Sequence, residues 1–300
     1  MNNIYLIIQS FALIFTSIVL EALPFILLGA LISAFVQMFL TEDMIKKIIP
    51  KNILLSSLGA AFLGIFFPIC ECATVPITRG LLKKGVPLRI AVTYMLAAPI
   101  VNPMVLLSTL YAFQDNTKML VLRAFLGVLI AIIAGILIDV LQGKKSALKE
   151  EETYNFGGCA CCSDDYNQSS KLKTFLSRGI KEFFEVGNFF LIGATLAALF
   201  QTLIPRHVVG QLSSNGTLGI VIMMILAYVL SLCSEADAFI GKSFMGVFSE
   251  QSILAFLLFG PMIDIKNTIM LLGGYKKSFI VKLLFIIISL CFIFCSLIIF

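Results

Sequence analysis

Cys70, Glu71 and Cys72 stand together inside sequence that is otherwise apolar, and Cys233, Glu235 and Asp237 do the same in the second half of the chain. Thiolates are soft ligands that bind soft metals and metalloids. A carboxylate at membrane depth is costly, faces a cavity or a partner, and marks a substrate, ion or proton path. Two further polar residues, Asn102 and Asp264, each follow a proline by three positions, Pro99 and Pro261. A proline removes a backbone donor and clashes with the preceding turn, so helices break near it. In hydrocarbon such breaks survive only where protein or a water-filled cavity covers them. The residues that could do chemistry are therefore Cys70, Glu71, Cys72, Asn102, Cys233, Glu235, Asp237 and Asp264, all at or near expected helix breaks. Glu21 and Glu185, inside apolar runs, complete the set of candidate pathway residues.

The elements that must position these residues are read from composition and repeats. The 300-residue chain is 59% hydrophobic and only 13% charged, against roughly 25% charged in soluble domains. Its mean hydropathy is +1.02. The fold class is all-α polytopic membrane protein, its partner the lipid bilayer. The net charge of +5 implies no nucleic acid, because most Lys and Arg fall in short loops between apolar runs, as the positive-inside rule requires. No basic n-region and cleavage site open the chain, so no signal peptide is expected.

The chain reads as two copies of one plan. EALPFILLGALISAFVQ (Glu21–Gln37) aligns without a gap with EVGNFFLIGATLAALFQ (Glu185–Gln201). The run from Gly64 to Pro103 is matched by Leu230 to Asn267, with Cys233 at the place of Cys70, Ala236 at that of Ala73 and Pro261 at that of Pro99. Expected in the first copy, residues 1–142, are a span over Ser10–Leu40, a re-entrant or broken helical hairpin from Ile53–Phe67 and Ala73–Leu82, a span Pro87–Phe113 broken at Pro99–Pro103, and a span Met119–Leu141. The hairpin arms are each too short to cross a bilayer core alone. The second copy, residues 179–300, repeats this with Gly179–Ile204, a hairpin from Leu218–Leu232 and Ala238–Phe248, Ser252–Leu272 broken at Pro261, and Ser278–Phe300. Between them, Gly143–Arg178 reads as a cytoplasmic, flexible, Cys-containing linker.

Three full spans per copy is an odd number, which makes the repeats inverted. With the N-terminus outside, Lys46, Lys47, Lys51, Arg79, Lys83, Lys84, Arg89, the basic residues of the linker, Lys276, Lys277 and Lys282 fall inside, and Lys118, Arg206 and Lys242 outside. Ten crossing segments, with each hairpin arm crossing as a short helix, keep the same loop sides.

Inverted repeats with broken helices point to a transporter with a site at mid-depth. Each break leaves free N–H groups at one half-helix and free carbonyls at the other. The two hairpin tips are expected to bring Glu71 and Glu235 together, where two carboxylates cannot both ionise cheaply and could carry a proton. Each chemical reading has a plainer one beside it. Glu21 and Glu185 can carry protons or satisfy the broken backbone of a neighbouring helix. Cys70, Cys72 and Cys233 can be thiol ligands or small packing residues. Cys159, Cys161 and Cys162 of the linker can bind a metal or be incidental thiols. Cys291 and Cys295, one turn apart, read as packed or lipid-facing, and His207 alone supports no ligand.

The run PICECATVPITRGLLKKGVPLRIAVTYMLAAPIVNP, together with LCSEADAF and the Cys-containing linker, closely resembles the signature of the ArsP-type predicted permeases, a family that includes organoarsenical exporters. The resemblance covers nearly the whole chain. It implies that Cys70, Cys72 and Cys233 are the motif cysteines, with Glu71 standing between the first two where a small residue is expected.

The function expected is an integral membrane permease, a secondary, ion- or proton-coupled exporter of a small solute such as an organometalloid or soft-metal species. The alternatives are a membrane thiol oxidoreductase using Cys70 and Cys72, or a metal-responsive channel or sensor. The oxidoreductase needs a resolving pair or cofactor site near a membrane face. No P-loop is present, so nucleotide-driven pumping by this chain is not expected. No enzyme activity and no cofactor is expected, and a homo-oligomer is compatible with the sequence.

Overall fold

Prolines and capping side chains decide where the helices stop, and their neighbours decide which way they turn. The computed structural model describes residues 2–39, 50, 52–66, 69–114, 116–143, 145–149, 168–203 and 216–298. Pro68, His207 and the linker cysteines Cys159, Cys161 and Cys162 lie outside the described residues. The described chain is helical: α1 (Asn2–Phe39), α2 (Ile53–Phe66), α3 (Glu71–Lys83), α4 (Leu88–Val101), α5 (Pro103–Ala112) and α6 (Thr117–Gln142) form the first part. The second part is α7 (Gln168–Leu203), α8 (Thr217–Leu230), α9 (Asp237–Ser243), α10 (Glu250–Met262), α11 (Ile265–Gly274) and α12 (Lys277–Leu297). The order long helix, two short helices, broken helix, final helix occurs in both parts.

Five described helical stretches are long and apolar enough to cross a membrane, or six if the bent pair α4 and α5 counts as one span. The protein is an all-α, multi-pass membrane protein. At 1.5 Å per residue the 38 residues of α1 extend roughly 57 Å, well beyond the ~30 Å hydrocarbon core, so α1 tilts or projects from it. The centre of the bundle is α10 with α11, whose most apolar window is 83% buried against 11–39% for the other spans. Leu254, Ala255, Phe256, Leu257 and Leu258 of α10 are all fully covered by protein. Exposed Leu20, Phe125 and Phe285 are the lipid-facing complement. Inside a bilayer lipid tails are as apolar as leucine, so close packing of small residues holds helices together. A Cβ on Gly29 of α1 would lie 2.9 Å from the carbonyl oxygen of Ala73 in α3, and one on Gly193 of α7 would lie 3.0 Å from Cα of Lys266 in α11. Only glycine lets those backbones approach so closely.

The breaks fall slightly past the prolines. Pro99 lies within α4, and the chain bends by 40° only at Asn102. Pro261 lies within α10, and the break comes at Ile263 and Asp264. The missing N–H weakens the ladder, but the end is set by the next residue able to cap the following helix. Asn102 does so by accepting from Met104 N–H at 3.0 Å, with Pro103 at the first helical position where its fixed φ suits the turn. Asp264 accepts from Asn267 N–H at 2.7 Å. The short arms differ from a tightly closed hairpin: α2 packs on α4 and α3 on α1 rather than along each other, and the last arm, α9, ends at Ser243 in a turn rather than continuing to Phe248. The linker is also shorter than its polar composition suggests. Helix α7 begins at Gln168, and Ala147 and Lys149 pair through their backbones with Lys276 and Gly274 at the α11–α12 junction. Cys291 and Cys295 are packed, the Cys291 thiol lying 4.0 Å from the Met262 sulfur.

Candidate functional site at the helix breaks

The N-terminus of α3, the irregular chain between α8 and α9, and the start of α11 converge beside α1. Between them lies a cavity of about 370 Å³. Its polar lining comes from Ser17 and Glu21 of α1, Cys70, Glu71 and Cys72 at the first tip, Gln201 of α7, Ser231 and Cys233 at the second tip, and Lys266 of α11. Leu13, Ile14, Ile18 and Phe25 of α1 make the apolar wall. The freed backbone is satisfied locally. Gln201 donates to the carbonyl of Leu230 at the end of α8, and Ser231 Oγ accepts from Lys266 N–H at 3.3 Å. Ser231 holds φ 49° and ψ 49°, and it alone among the described non-glycine residues has positive φ. A residue kept in that left-handed region costs on the order of 1–3 kcal/mol and is held there by its surroundings.

Behind the cavity wall the polar groups form one connected network. Glu71 Oε2 accepts from Ser234 Oγ at 2.6 Å, and Glu71 Oε1 lies 3.8 Å from Lys266 Nζ. Lys266 Nζ also lies 3.6 Å from Asp264 Oδ2. On the other side, Arg123 of α6 donates to the Ser234 carbonyl at 3.3 Å and to Thr109 Oγ1 at 2.7 Å, and its Nη2 lies 3.9 Å from Asp237 Oδ2. All five ionisable residues, Glu71, Asp237, Asp264, Arg123 and Lys266, are buried. Isolated buried charges are costly, and pairing with hydrogen bonds is what makes them tolerable.

Of the residues singled out in the sequence, Glu21, Cys70, Glu71, Cys72 and Cys233 line the cavity. The Cys70 and Cys72 thiols neighbour each other, and Cys233 lies beside the Glu21 carboxylate. Asp237 and Asp264 belong to the network but sit behind the lining. Asn102 is spent on capping α5. Glu185 lies outside the site, where its carboxylate pairs with Arg79 of α3 at 2.8 Å. The expected meeting of Glu71 with Glu235 is not what the tips form. Glu71 meets Ser234, which occupies the matching position in the second motif when Cys233 is set on Cys70. Glu235 is half-buried, and its backbone N–H faces the Cys233 thiol. Lys266 and Arg123 were missed as site residues. The signal was there: a lysine two positions after Asp264 inside an apolar run, and an arginine in an apolar span, each require an acidic partner at depth. No three His, Cys, Asp or Glu side chains converge to hold a metal ion among the described residues.

A profile described as a predicted permease matches residues 7–300. The chain belongs to the ArsP-type predicted permease family. A Bacillus subtilis relative, YcgR, is 44% identical over 271 residues, covering 90% of each chain. A Streptococcus mutans relative, named as a candidate subunit of a two-component membrane permease complex, is 39% identical over 272 residues, covering 90% of this chain and 88% of its own. No solved structure matches the chain. Family and fold together make this a multi-pass membrane permease of the cell membrane.

Proposed function

We propose that this permease is a secondary, ion-coupled exporter of a small solute carrying a soft, thiol-binding atom, such as an organometalloid. The observation that carries this reading is the cavity at the helix breaks, which sets three motif thiols beside a buried, charged network. The thiols offer contacts to the cargo, and the network offers a place for the coupling ion. The two parts of the chain are inverted repeats in this reading, so that the same site opens to one side and then the other as the two sets of breaks exchange roles. The complex subunit named among the relatives suggests that the permease works with a second chain, and the polar linker carrying Cys159, Cys161 and Cys162 is an accessory cytoplasmic element that concentrates soft cargo.

The experiment is a thermal-stability screen of the purified protein against oxyanions, organometalloids and thiol-reactive metals. Uptake of the stabilising compound into inverted vesicles, with and without a pH gradient, then follows. Accumulation driven by the gradient is expected. Stabilisation by oxyanions alone, or uptake indifferent to every ion gradient, overturns the cargo class or the coupling respectively.

A further inference from the structure

The buried network holds three carboxylates, Glu71, Asp237 and Asp264, against two cations, Arg123 and Lys266. With every group ionised, the cluster lacks one positive charge. A net charge enclosed by apolar helices is far more costly than a balanced cluster. Something must supply the missing charge, and the contacts show where. Glu71 has the Ser234 hydroxyl on one oxygen and Lys266 near the other. Asp264 has the Asn267 N–H on one oxygen and Lys266 near the other. None of these ion pairs closes to about 2.7–2.9 Å, the distance of a charge-assisted pair in a dry site, and Oδ2 of both Asp237 and Asp264 is buried without a hydrogen bond. Asp237 is served worst because Glu71 and Asp264 each keep a donor on one oxygen, Ser234 Oγ and Asn267 N–H, whereas Arg123, 3.9 Å from Asp237, aims its donors at Thr109 and the Ser234 carbonyl instead.

The groups that face Asp237 are Arg123 from α6, Glu71 from α3, and Lys266 and Asp264 at the start of α11. On α10, a Cβ on Gly260 would lie 3.2 Å from Asp237 Oδ2, so that backbone lies close against the carboxylate. No three His, Cys, Asp or Glu side chains converge to hold a metal ion among the described residues.

We propose that Asp237 is a proton-binding site: the cluster takes up one exchangeable proton, carried as the neutral carboxylic acid of Asp237, with Glu71 at the cavity wall as its contact with water. This deepens the ion-coupled reading above and names the ion as a proton. The reaction is a simple protonation of one carboxylate, which brings the cluster to neutrality. Releasing the proton restores the unbalanced charge and drives Arg123 to turn toward Asp237. The bond between Arg123 and the Ser234 carbonyl at the second tip is then lost.

The test is infrared spectroscopy of the purified, full-length protein in lipid bilayers during a pH titration, with no cargo added. Its outcome is therefore independent of whether the transport reading holds. At neutral pH one protonated-carboxyl stretch is expected that moves in heavy water and with carbon-13-labelled aspartate, but not with labelled glutamate. In Asp237→Glu, which keeps the charge count, it should follow labelled glutamate instead, and in Asp264→Glu it should still follow labelled aspartate. If Asp237→Glu does not fold, the labelled wild type together with Asp264→Glu still separates the two aspartates. Absence of any such band at neutral pH, a shift with labelled glutamate in the wild type, or a band that follows labelled aspartate in Asp237→Glu or labelled glutamate in Asp264→Glu overturns the proposal.

Discussion

The two broken helices use the same backbone device for different ends. Asn102 and Asp264 each follow a proline by three residues and each cap the helix that follows. Two positions beyond each cap the copies diverge. Met104 is 54% exposed on the outside of the bundle, whereas Lys266 is 4% exposed and stands between Glu71 and Asp264. Asn102 is neutral and its side-chain oxygen is used by one N–H. Asp264 gives one oxygen to the cap and keeps the other for Lys266. The first break is structural and the second is charged. The tips divide the labour the other way, with the acid at Glu71 in the first motif and its hydroxyl donor at Ser234 in the second. Similar runs of sequence thus serve different ends, and single substitutions within them decide which run supplies charge and which supplies only shape.

The sharpest way to break this comparison is at the lysine. Lys266→Met leaves Glu71 and Asp264 without their shared cation, and losing one partner of a buried pair costs about 3–5 kcal/mol. A large fall in thermal midpoint and loss of cargo binding are expected in purified protein. Met104→Ala at the matching site should change neither by a measurable amount. Equal effects of the two would show that the breaks are not differentiated.

Ser234→Ala comes next. Removing a hydroxyl that donates to a buried carboxylate costs about 1.5–3 kcal/mol, so destabilisation should be intermediate, and Ser234→Thr should recover most of it. A neutral outcome for Ser234→Ala would mean that the tips are not held by the Glu71 contact.

Asn102→Ala tests the structural break alone. A lost N-cap costs about 1 kcal/mol, and the expected result is a small fall in midpoint with cargo affinity unchanged. Asn102→Ser keeps a neutral cap and should restore most of the midpoint. A loss of affinity in Asn102→Ala would move the first break into the site.

The smallest effects belong to the linker. Replacing Cys159, Cys161 and Cys162 together by serine should leave the maximal transport rate intact and at most raise the concentration of soft cargo required. An impermeant maleimide applied to whole cells should not label them. Labelling from outside would reverse the assigned orientation, and complete loss of transport at normal expression would make the thiols part of the path.

Much of the architecture was legible because it rests on local rules. Apolar runs, prolines and a polar residue three positions on reveal the helical membrane class and the existence of four interruptions, since a missing N–H acts on its own turn and a cap on the next one. The first break lies at Asn102, within the expected Pro99–Pro103, and the second falls at Ile263 and Asp264, just past Pro261, because the capping side chain, not the proline, ends the ladder. The short arms were legible as short, but whether they fold back on each other depends on which neighbours offer room, and Gly29 of α1 gives α3 that room.

The chemistry of the site divides along the same line. By itself the sequence determined that this is a helical membrane protein, that its helices break at Asn102 and Asp264 or close by, and that thiols and acids cluster at the breaks. It did not determine the pairing. Glu71 and Ser234 are 163 residues apart, and Arg123 reaches Ser234 across 111. Only the tertiary structure decided that Glu71 faces a serine rather than Glu235, that Glu185 is taken by Arg79, and that Lys266 and Arg123 stand among three acids. The reason is physical: a helix end is settled by its own few residues, whereas the balance of a buried charge is settled by every element that closes around it.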